Sequence, residues 1–388
     1  MRNLQRVKKF CVITAAIFLT SGCASVRHAV PENMMSNVRV FGMRDIRVYS
    51  GIPSEYFKKD IVSLIDPRGT GGTYSMLAIS GGAANGAYGA GLLSGWTQFG
   101  TRPVFKVVTG ISTGAIIAPF AFLGSKYDGR LEEFCTKYST KDIMKISIPF
   151  VNSFASPRPL KRHIDKYFDG QLLKEIAAEY NKGRRLYVGT TNLDAQRLAI
   201  WDMGKIASIG DDKALTLFRE IILASASIPI AFPPVRLRVQ AGDKTYDEMH
   251  VDGGVVKQVF FLYDVVQGME DAAKEKGTDI RNMRYKIYVI RNGYVDSIWK
   301  EVPDRLSAIA ERTVDTMVNA QSIGDIYQLY TFTKLGKGDF NLAYIPVTHV
   351  SKAKEFFDPA EMRELFDIGF KEAARGYDWK KVPPGMAQ

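Results

Sequence analysis

The sequence contains few of the residues that build disulfide frameworks and metal sites. It has three cysteines and four histidines in 388 residues, and the histidines are scattered along the chain. Such a set does not provide the ligand spacing of a zinc centre. Two of the cysteines, Cys11 and Cys23, fall in an N-terminal segment that is interpreted below as a signal, which leaves Cys135 without an internal disulfide partner. We therefore expect no metal and no disulfide scaffold.

Signatures of nucleotide and nucleic-acid binding are also missing. The chain has no Gly-Lys-Ser/Thr phosphate loop, and its glycine spacing does not fit a dinucleotide-binding turn. The formal net charge of +11 comes from basic residues that are scattered, and no nucleic-acid-binding motif is present. We expect neither a cofactor nor a nucleic-acid partner.

No apolar run has the length that a membrane span requires, which is about 20 residues. The apolar residues 10–19 follow four basic residues and precede Thr-Ser-Gly-Cys, which ends at Cys23. This order is typical of a bacterial secretory signal, and its end resembles a lipobox, which predicts lipidation of Cys23. A plain cleaved signal is the alternative. We expect a protein anchored by lipid in the bacterial cell envelope, at the periplasmic face of the outer membrane.

The most informative pattern in the chain is Gly-Ile-Ser-Thr-Gly at residues 110–114. It follows an apolar run that predicts a strand and precedes a run that predicts a helix. A serine between glycines at a strand-to-helix turn is typical of a nucleophile elbow, where Gly110 and Gly114 prevent collisions across the sharp turn. The pattern predicts that Ser112 is a nucleophile, and an ordinary glycine-rich connection is the alternative.

A second glycine-rich turn lies upstream, at residues 80–86, between a short apolar strand and a helix of small residues. Backbone N–H groups at such a helix start attract anions, which include a bound phosphate and the oxyanion of a tetrahedral intermediate. Because the phosphate-loop signatures are missing, the turn favours an oxyanion hole. A tight packing turn is the alternative.

A third segment, Asp-Gly-Gly at residues 252–254, supplies a candidate partner for the serine. Taken alone, this pattern usually marks a turn. None of the four histidines stands in a pattern typical of a catalytic triad. His250 is the nearest candidate, because it lies two residues before Asp252 on the same predicted strand.

In order and spacing, the three segments resemble the patatin-like phospholipase family. The family's turn, Gly-Gly-Gly-x-Arg/Lys-Gly, corresponds here to residues 81–86, in which Ala83 replaces the third glycine and Asn85 replaces the basic residue. The resemblance covers about residues 74–293. It includes residues 224–234, which are similar to a pocket-lining segment of the family.

The resemblance implies a serine–aspartate dyad rather than a triad. Ser112 would attack an ester carbonyl to form an acyl-enzyme, and Asp252 would accept the serine proton and later activate water. Burial would raise the pKa of Asp252 and make it a stronger base. The implied oxyanion donors are the backbone N–H groups of Gly81, Gly82, Ala83 and Thr113.

We therefore expect a serine esterase or lipid acyl hydrolase, phospholipase A-like, that acts on membrane phospholipids or related acyl esters. An acyltransferase with the same dyad is one alternative. A non-catalytic envelope lipoprotein on a degenerate patatin fold is another, which the changes at Ala83 and Asn85 leave open. The aromatic residues at 326–332 are interpreted as an amphipathic or core segment, with the lining of an acyl pocket as the alternative.

Strand-like and helix-like runs alternate from residue 74 onward, which predicts an α/β fold with a mostly parallel sheet and helices on both faces. The predicted strands are 104–109, 185–190, 198–202, 248–252 and 285–291. The predicted helices are 86–98, 114–123, 171–181, 214–224, 303–320 and 359–375, the last with Asp358 as N-cap and Pro359 in its first turn. The predicted division is a signal at 1–22, a lead-in at 23–73, a catalytic domain at 74–293 and a C-terminal α/β extension at 294–388.

Overall fold

The computed structural model describes residues 27–63, 73–146, 155–261 and 284–386; the predicted signal segment and Cys23 lie outside them. The strands are β1 (Arg39–Val40), β2 (Arg47–Tyr49), β3 (Tyr74–Ile79), β4 (Val107–Ile111), β5 (Lys145–Ile146), β6 (Ala155–Ser156), β7 (Arg185–Asn192), β8 (Arg197–Asp202), β9 (Val235–Ala241), β10 (Lys244–Asp252), β11 (Tyr285–Arg291) and β12 (Asp339–Tyr344). The α-helices are α1 (Glu55–Ser63), α2 (Gly86–Phe99), α3 (Thr113–Leu123), α4 (Asp128–Lys137), α5 (Thr140–Ile143), α6 (Arg158–Tyr167), α7 (Gly170–Asn181), α8 (Met203–Ile209), α9 (Asp212–Ser225), α10 (Leu306–Leu335) and α11 (Pro359–Ala373).

A ten-stranded mixed sheet forms the central layer, in the order β1-β9-β10-β7-β4-β3-β11-β12, with β8 on β7 and β2 on β8. The five strands from β7 to β12 in this order are parallel neighbours. The strands β1, β2, β8, β9 and β10 make antiparallel pairs on the β7 side. The prediction of an α/β fold with a mostly parallel sheet is confirmed, and the antiparallel strands extend the sheet at one side.

Helices cover both faces of this sheet, as β3 illustrates. Successive side chains of a strand point to opposite faces, and here both sets are buried. Leu77 and Ile79 join a large core with α2, α3, α4, α9 and α11, whereas Met76 and Ala78 join a second core with α10. Burial on both faces explains why β3 contains the continuous apolar run 76–79 rather than an alternation of apolar and polar residues.

The predicted elements are found within a few residues of their expected bounds, with one exception. The helix predicted at 303–320 is α10, Leu306–Leu335, which continues 15 residues further. The start of α11 is as predicted, because the Asp358 side chain accepts a hydrogen bond from the Ala360 N–H at 2.9 Å. Within the described ranges, no helix combines the length and apolar character needed to span a membrane.

The C-terminal part of the chain completes the same layers. Strand β12 lies beside β11 in the sheet. Helix α11 packs closely on α2, where a Cβ atom added at Gly91 would lie 2.0 Å from the Phe366 carbonyl oxygen. Residues after 294 therefore share a core with the central strands.

Candidate active site

Ser112 lies at a strained turn between β4 and α3. Its backbone φ is 56°, in the left-handed region that residues other than glycine rarely adopt. A Cβ atom at Gly110 would lie 2.3 Å from the Gly114 carbonyl oxygen, and one at Gly114 would lie 2.3 Å from the Ile79 carbonyl oxygen. Because neither position has room for a side chain, the two glycines permit the turn that presents the serine.

The register of the sheet brings Ser112 and Asp252 together. On β7, Gly189 pairs with Ile111 of β4, and the next residue, Thr190, pairs with Asp252 of β10. Because β4 is parallel to β7 and β10 is antiparallel to it, β4 and β10 end at the same point beside β7. The residue after β4 therefore meets the last residue of β10, although 140 positions separate them in the sequence.

The two side chains form a short hydrogen bond. The Ser112 hydroxyl donates to Asp252 Oδ2 at 2.6 Å, and the Gly254 N–H donates to Asp252 Oδ1 at 2.7 Å. Asp252 is 5% exposed, and burial raises its pKa to about 6 against the lowering effect of these two hydrogen bonds. At neutral pH the carboxylate is ionised yet more basic than an ordinary aspartate, whose pKa is about 3.9. This combination suits a proton acceptor.

Two serines that the sequence did not single out hold the pair in place. The Ser225 hydroxyl accepts a hydrogen bond from the Ser112 N–H at 2.9 Å and donates to the Gly189 carbonyl at 2.7 Å. The Ser227 carbonyl accepts from the Asp252 N–H at 2.9 Å. Both serines belong to the segment 224–234. Their presence as small polar residues in an otherwise apolar stretch is the sequence feature that could have identified them.

The glycine-rich turn lies against Ser112, but the interpretation of one predicted oxyanion donor needs correction. The Gly81 N–H donates to the Gln258 carbonyl at 3.1 Å, so it is already engaged. Among the described residues, no acceptor is found for the N–H groups of Gly82, Ala83 or Thr113. Thr113 is the first residue of α3, where N–H groups have no partner inside the helix. These three groups stay predicted donors.

Ala83 replaces a glycine of the family pattern at a position with a glycine-like backbone. Its φ is 49°, and its carbonyl accepts a hydrogen bond from the Thr113 hydroxyl at 2.8 Å. Asn85 ends the short 3-10 helix Ala83–Asn85. The turn therefore has a left-handed backbone at Ala83 without a glycine there.

The candidate role of His250 is wrong, because both nitrogens of its ring are engaged elsewhere. His250 is fully buried, with Nδ1 2.9 Å from Thr190 Oγ1 and Nε2 3.2 Å from Glu248 Oε2. Burial lowers its pKa and favours the neutral ring. In the described parts of the chain, no histidine is hydrogen-bonded to Ser112 or Asp252, so the serine has a carboxylate as its direct partner.

An apolar pocket that is open to solvent begins at Ser112. No charged side chain lines it, and its walls come from α2, α3, α4, α5, α6, the segment 224–234 and the start of α11. The lining residues are Ala83, Ala84, Gly86, Ala87, Ser112, Thr113, Ile116, Phe134, Cys135, Tyr138, Ile143, Leu160, Ala226, Ile228, Phe232, Phe357 and Met362. Such a pocket accepts an apolar chain better than a charged group.

The residues that line this pocket bear on the predictions made for the segments 224–234 and 326–332. The segment 224–234 lines it through Ala226, Ile228 and Phe232, as expected. The aromatic segment 326–332 does not, because Ile326 and Leu329 are buried in the second core. The segment is therefore amphipathic, with Ile326 and Leu329 in the core and Tyr327 exposed.

Cys135 lines the pocket but is a poor nucleophile. Burial raises the pKa of its thiol to about 12, so the reactive thiolate is scarce at neutral pH. Within the described ranges, no group of three or more His, Cys, Asp or Glu side chains is arranged to hold a metal ion.

Comparison with known proteins identifies the domain that carries this site. A family model for patatin-like phospholipases matches residues 77–263, which include the glycine-rich turn, Ser112 and Asp252. No curated protein gives a significant sequence match. Among solved structures, VipD from Legionella pneumophila is 11% identical, with 79% of this chain and 67% of that chain covered and a TM-score of 0.37. Residues 77–263 are thus identified as a patatin-like phospholipase domain, which supports a general lipid acyl hydrolase activity.

Proposed function

We propose that the protein hydrolyses acyl esters of lipids with Ser112 as the nucleophile and Asp252 as the general base. The observation that carries this proposal is the 2.6 Å hydrogen bond between the two side chains, at the tip of a strained turn that opens into an apolar pocket. The raised pKa of Asp252 supports its role as the base.

In the first half of the reaction, the Ser112 oxygen bonds to the ester carbonyl carbon and its proton passes to Asp252 Oδ2. The tetrahedral intermediate then collapses, the ester C–O bond breaks, and the proton on Asp252 moves to the departing alcohol. In the second half, Asp252 takes a proton from water, the hydroxide attacks the acyl-enzyme, and Ser112 regains its proton as the fatty acid leaves.

The oxyanion of both intermediates needs donors that are in place before the reaction. The N–H groups of Gly82, Ala83 and Thr113 are the proposed set, since the Gly81 N–H is engaged by Gln258. Loss of one such donor typically costs about 3–4 kcal/mol of transition-state stabilisation.

The substrate class follows from the pocket and the family. A pocket lined by apolar side chains and free of charged ones supports binding of a fatty acyl chain, with the ester carbonyl proposed to lie at Ser112. A phospholipid or a related acyl ester is the proposed substrate.

We also propose that a lipid on Cys23 anchors the protein in the cell envelope, which the signal-like segment before it supports.

Labelling with a fluorophosphonate probe tests the proposal. We expect the wild-type protein, assayed with detergent micelles, to be labelled and the Ser112→Ala variant to remain unlabelled. Ser94→Ala is the matched control, because Ser94 is another serine with a buried hydroxyl, on α2 and outside the pocket. A folded wild-type protein that takes no label would contradict the hydrolase proposal and favour a non-catalytic lipoprotein.

A further inference from the structure

A buried guanidinium lies behind the glycine-rich turn. Arg291 is the last residue of β11 and is 5% exposed. Its Nη1 donates to the Gly81 carbonyl oxygen at 3.2 Å and lies 3.4 Å from Ser80 Oγ. Strand β11 pairs with β3, which leads into the turn, so this contact is set by the sheet.

Arg291 differs from the other deeply buried arginines because it has no carboxylate partner among the described residues. Arg184 pairs with Glu179, and Arg185 pairs with Asp60. The Nε of Arg291 is also buried without a hydrogen-bond partner in the described part of the chain. A buried cation without a paired anion is destabilising, so its retention calls for a function.

The charge of Arg291 persists at neutral pH. Burial lowers its pKa to about 10, while the nearby Asp325 acts in the opposite direction. The oxygens of Asp325 accept hydrogen bonds from Lys257 Nζ at 2.8 Å and from the Gln258 N–H at 2.7 Å. The Asp325 carboxylate is thus hydrogen-bonded to other donors, and the Arg291 guanidinium remains a positive charge beside the turn.

The hydrogen bond from Arg291 acts on the peptide group that joins Gly81 to Gly82. The Gly81 carbonyl and the Gly82 N–H belong to one planar trans peptide, in which the two groups point in opposite directions. The carbonyl accepts from the Ser80 hydroxyl at 2.6 Å as well as from Arg291. A carbonyl that accepts hydrogen bonds polarises its peptide and makes the N–H a stronger donor.

Gly81 lies directly beside the serine. A Cβ atom added at Gly81 would be 3.0 Å from Ser112 Cβ. The turn itself carries no basic side chain between Ser80 and Gly86. Among the described residues, the guanidinium of Arg291 supplies a positive charge that contacts this turn from outside it.

We propose that Arg291 is a positioning residue that orients and polarises the Gly81–Gly82 peptide, so that the Gly82 N–H stabilises the oxyanion formed at Ser112. The inference rests on the proposed function, because it needs an acyl-transfer reaction at Ser112. The effect belongs to the transition state, where negative charge develops, and not to substrate binding.

Three substitutions separate the charge of Arg291 from its hydrogen bond. Arg291→Lys keeps both, Arg291→Gln keeps a donor without the charge, and Arg291→Met removes both. We expect kcat on a soluble acyl ester to fall slightly in the lysine variant, more in the glutamine variant and by roughly 10- to 100-fold in the methionine variant, somewhat less than complete loss of an oxyanion donor. KM should stay within about twofold of the wild-type value.

The inhibition constant of an alkyl boronic acid, which forms a tetrahedral anion on the serine, should rise in parallel with the loss of kcat. A merely structural role would not produce this correlation. Arg184→Met is the matched control, because Arg184 is a buried arginine that donates to the carbonyls of Phe105 and Phe122, outside the pocket. Its kcat should remain near the wild-type value.

The outcomes distinguish this inference from the proposed function. Wild-type protein without esterase activity would overturn both. Active wild-type protein with an unchanged kcat in Arg291→Met, or with equal losses in the lysine and methionine variants, would overturn the role of Arg291 alone. If Arg291→Met does not fold, the comparison of Arg291→Lys with Arg291→Gln decides, since equal kcat values would exclude a role for the charge.

Discussion

At the scale of single residues, the burial of Asp252 predicts how the activity depends on pH. Its pKa is raised to about 6 by burial, and only the deprotonated carboxylate can accept the serine proton. We expect kcat/KM to be constant above pH 7 and to fall about tenfold per pH unit well below pH 6. The pH–rate profile of a soluble ester measures this. A profile that is flat down to pH 4.5 would contradict the role of Asp252 as the base.

The same shift predicts a pH-dependent gain in stability for Asp252→Asn. The pKa of Asp252 is higher in the folded protein than the value of about 3.9 expected after unfolding, so its ionisation opposes folding. This penalty is absent below about pH 4, develops between about pH 4 and 6, and then stays constant. It amounts to roughly 3 kcal/mol for a shift of about two pKa units.

Asparagine does not ionise, so we expect the unfolding free energy of Asp252→Asn, relative to wild type, to increase from pH 4 to pH 7. Urea unfolding at several pH values measures the difference. Turnover should be abolished in the same variant. A stability difference that is independent of pH would show that the Asp252 pKa is not raised.

The sequence singled out Ser112 and Asp252 as a pair through two short glycine motifs and a family resemblance, and their side chains are hydrogen-bonded in the structure. The sequence was not sufficient to predict the contacts of Ser225 and Arg291, or that the Gly81 N–H is already hydrogen-bonded. The contacts of these residues depend on which strands are neighbours and in what register, and no local pattern encodes this information. The hydrogen bond from the Gly81 N–H to the carbonyl of Gln258 is an example.

At the scale of helices and strands, the packing of α2 on α11 depends on glycine. A Cβ atom at Gly91 would lie 2.0 Å from the Phe366 carbonyl oxygen, and a backbone atom cannot rotate away. We expect Gly91→Ala to destabilise the protein by about 1–3 kcal/mol, the range for overpacking. Gly129→Ala in α4 is the control, because nothing lies within 4 Å of its added Cβ.

Gly129→Ala should have the opposite effect, a gain of about 0.5–1 kcal/mol, because alanine favours the helix over glycine. Thermal or urea unfolding of the two variants measures both effects. Equal stability of the two variants would contradict the close contact between α2 and α11.

The pocket between α2, α3, α4 and α6 predicts a preference for chain length. Cys135 lines it on α4, and replacement by phenylalanine adds bulk to its wall. We expect Cys135→Phe to hydrolyse short-chain esters at nearly the wild-type rate and to lose most of its activity on long-chain esters. Cys135→Ala is the control at the same position and should keep the wild-type profile. Equal losses on all chain lengths in Cys135→Phe would exclude this pocket as the acyl site.

The helices and strands themselves were largely predictable, because most coincide with apolar runs bounded by caps or glycine. The helix α10 was predicted too short, because the prediction ended at residue 320 and residues 326–332 were interpreted as a separate segment. Its buried residues, such as Ile326 and Leu329, begin only in the second half. Strand order and the antiparallel strands beside β7 depend on long-range pairing, which the alternation of helices and strands does not specify.

At the scale of the whole molecule, the N-terminal part of the described chain lies near the edge of the sheet that carries the site. Arg27 forms an ion pair with Asp194, directly after β7, and the His28 carbonyl accepts from the Asp247 N–H at 2.8 Å. Because β4 and β7 are parallel, their carboxyl ends lie on the same edge as Ser112. Cys23 precedes Arg27 by four residues, which span at most about 14 Å. A lipid on Cys23 would hold this edge near the membrane.

The proposed anchor therefore predicts a separation between activity on membrane lipids and activity on soluble esters. We expect Cys23→Ser to leave the membrane fraction of the cell and to lose labelling by an alkyne fatty acid. Its kcat on a soluble short-chain ester should remain unchanged, because Cys23 lies outside the pocket residues. Its rate on phospholipid vesicles should fall, since the lipid no longer holds the site at the surface.

Cys11→Ser is the matched control, because Cys11 lies within the apolar part of the signal-like segment and not at its end. Fractionation and labelling of this variant should equal those of the wild type. Cys23→Ser that stays in the membrane fraction and keeps its rate on vesicles would contradict the lipid anchor. Loss of soluble-ester activity in Cys23→Ser would instead mean that the N-terminal segment supports the site itself, because an anchor acts on access to the substrate and leaves the chemistry at Ser112 unchanged.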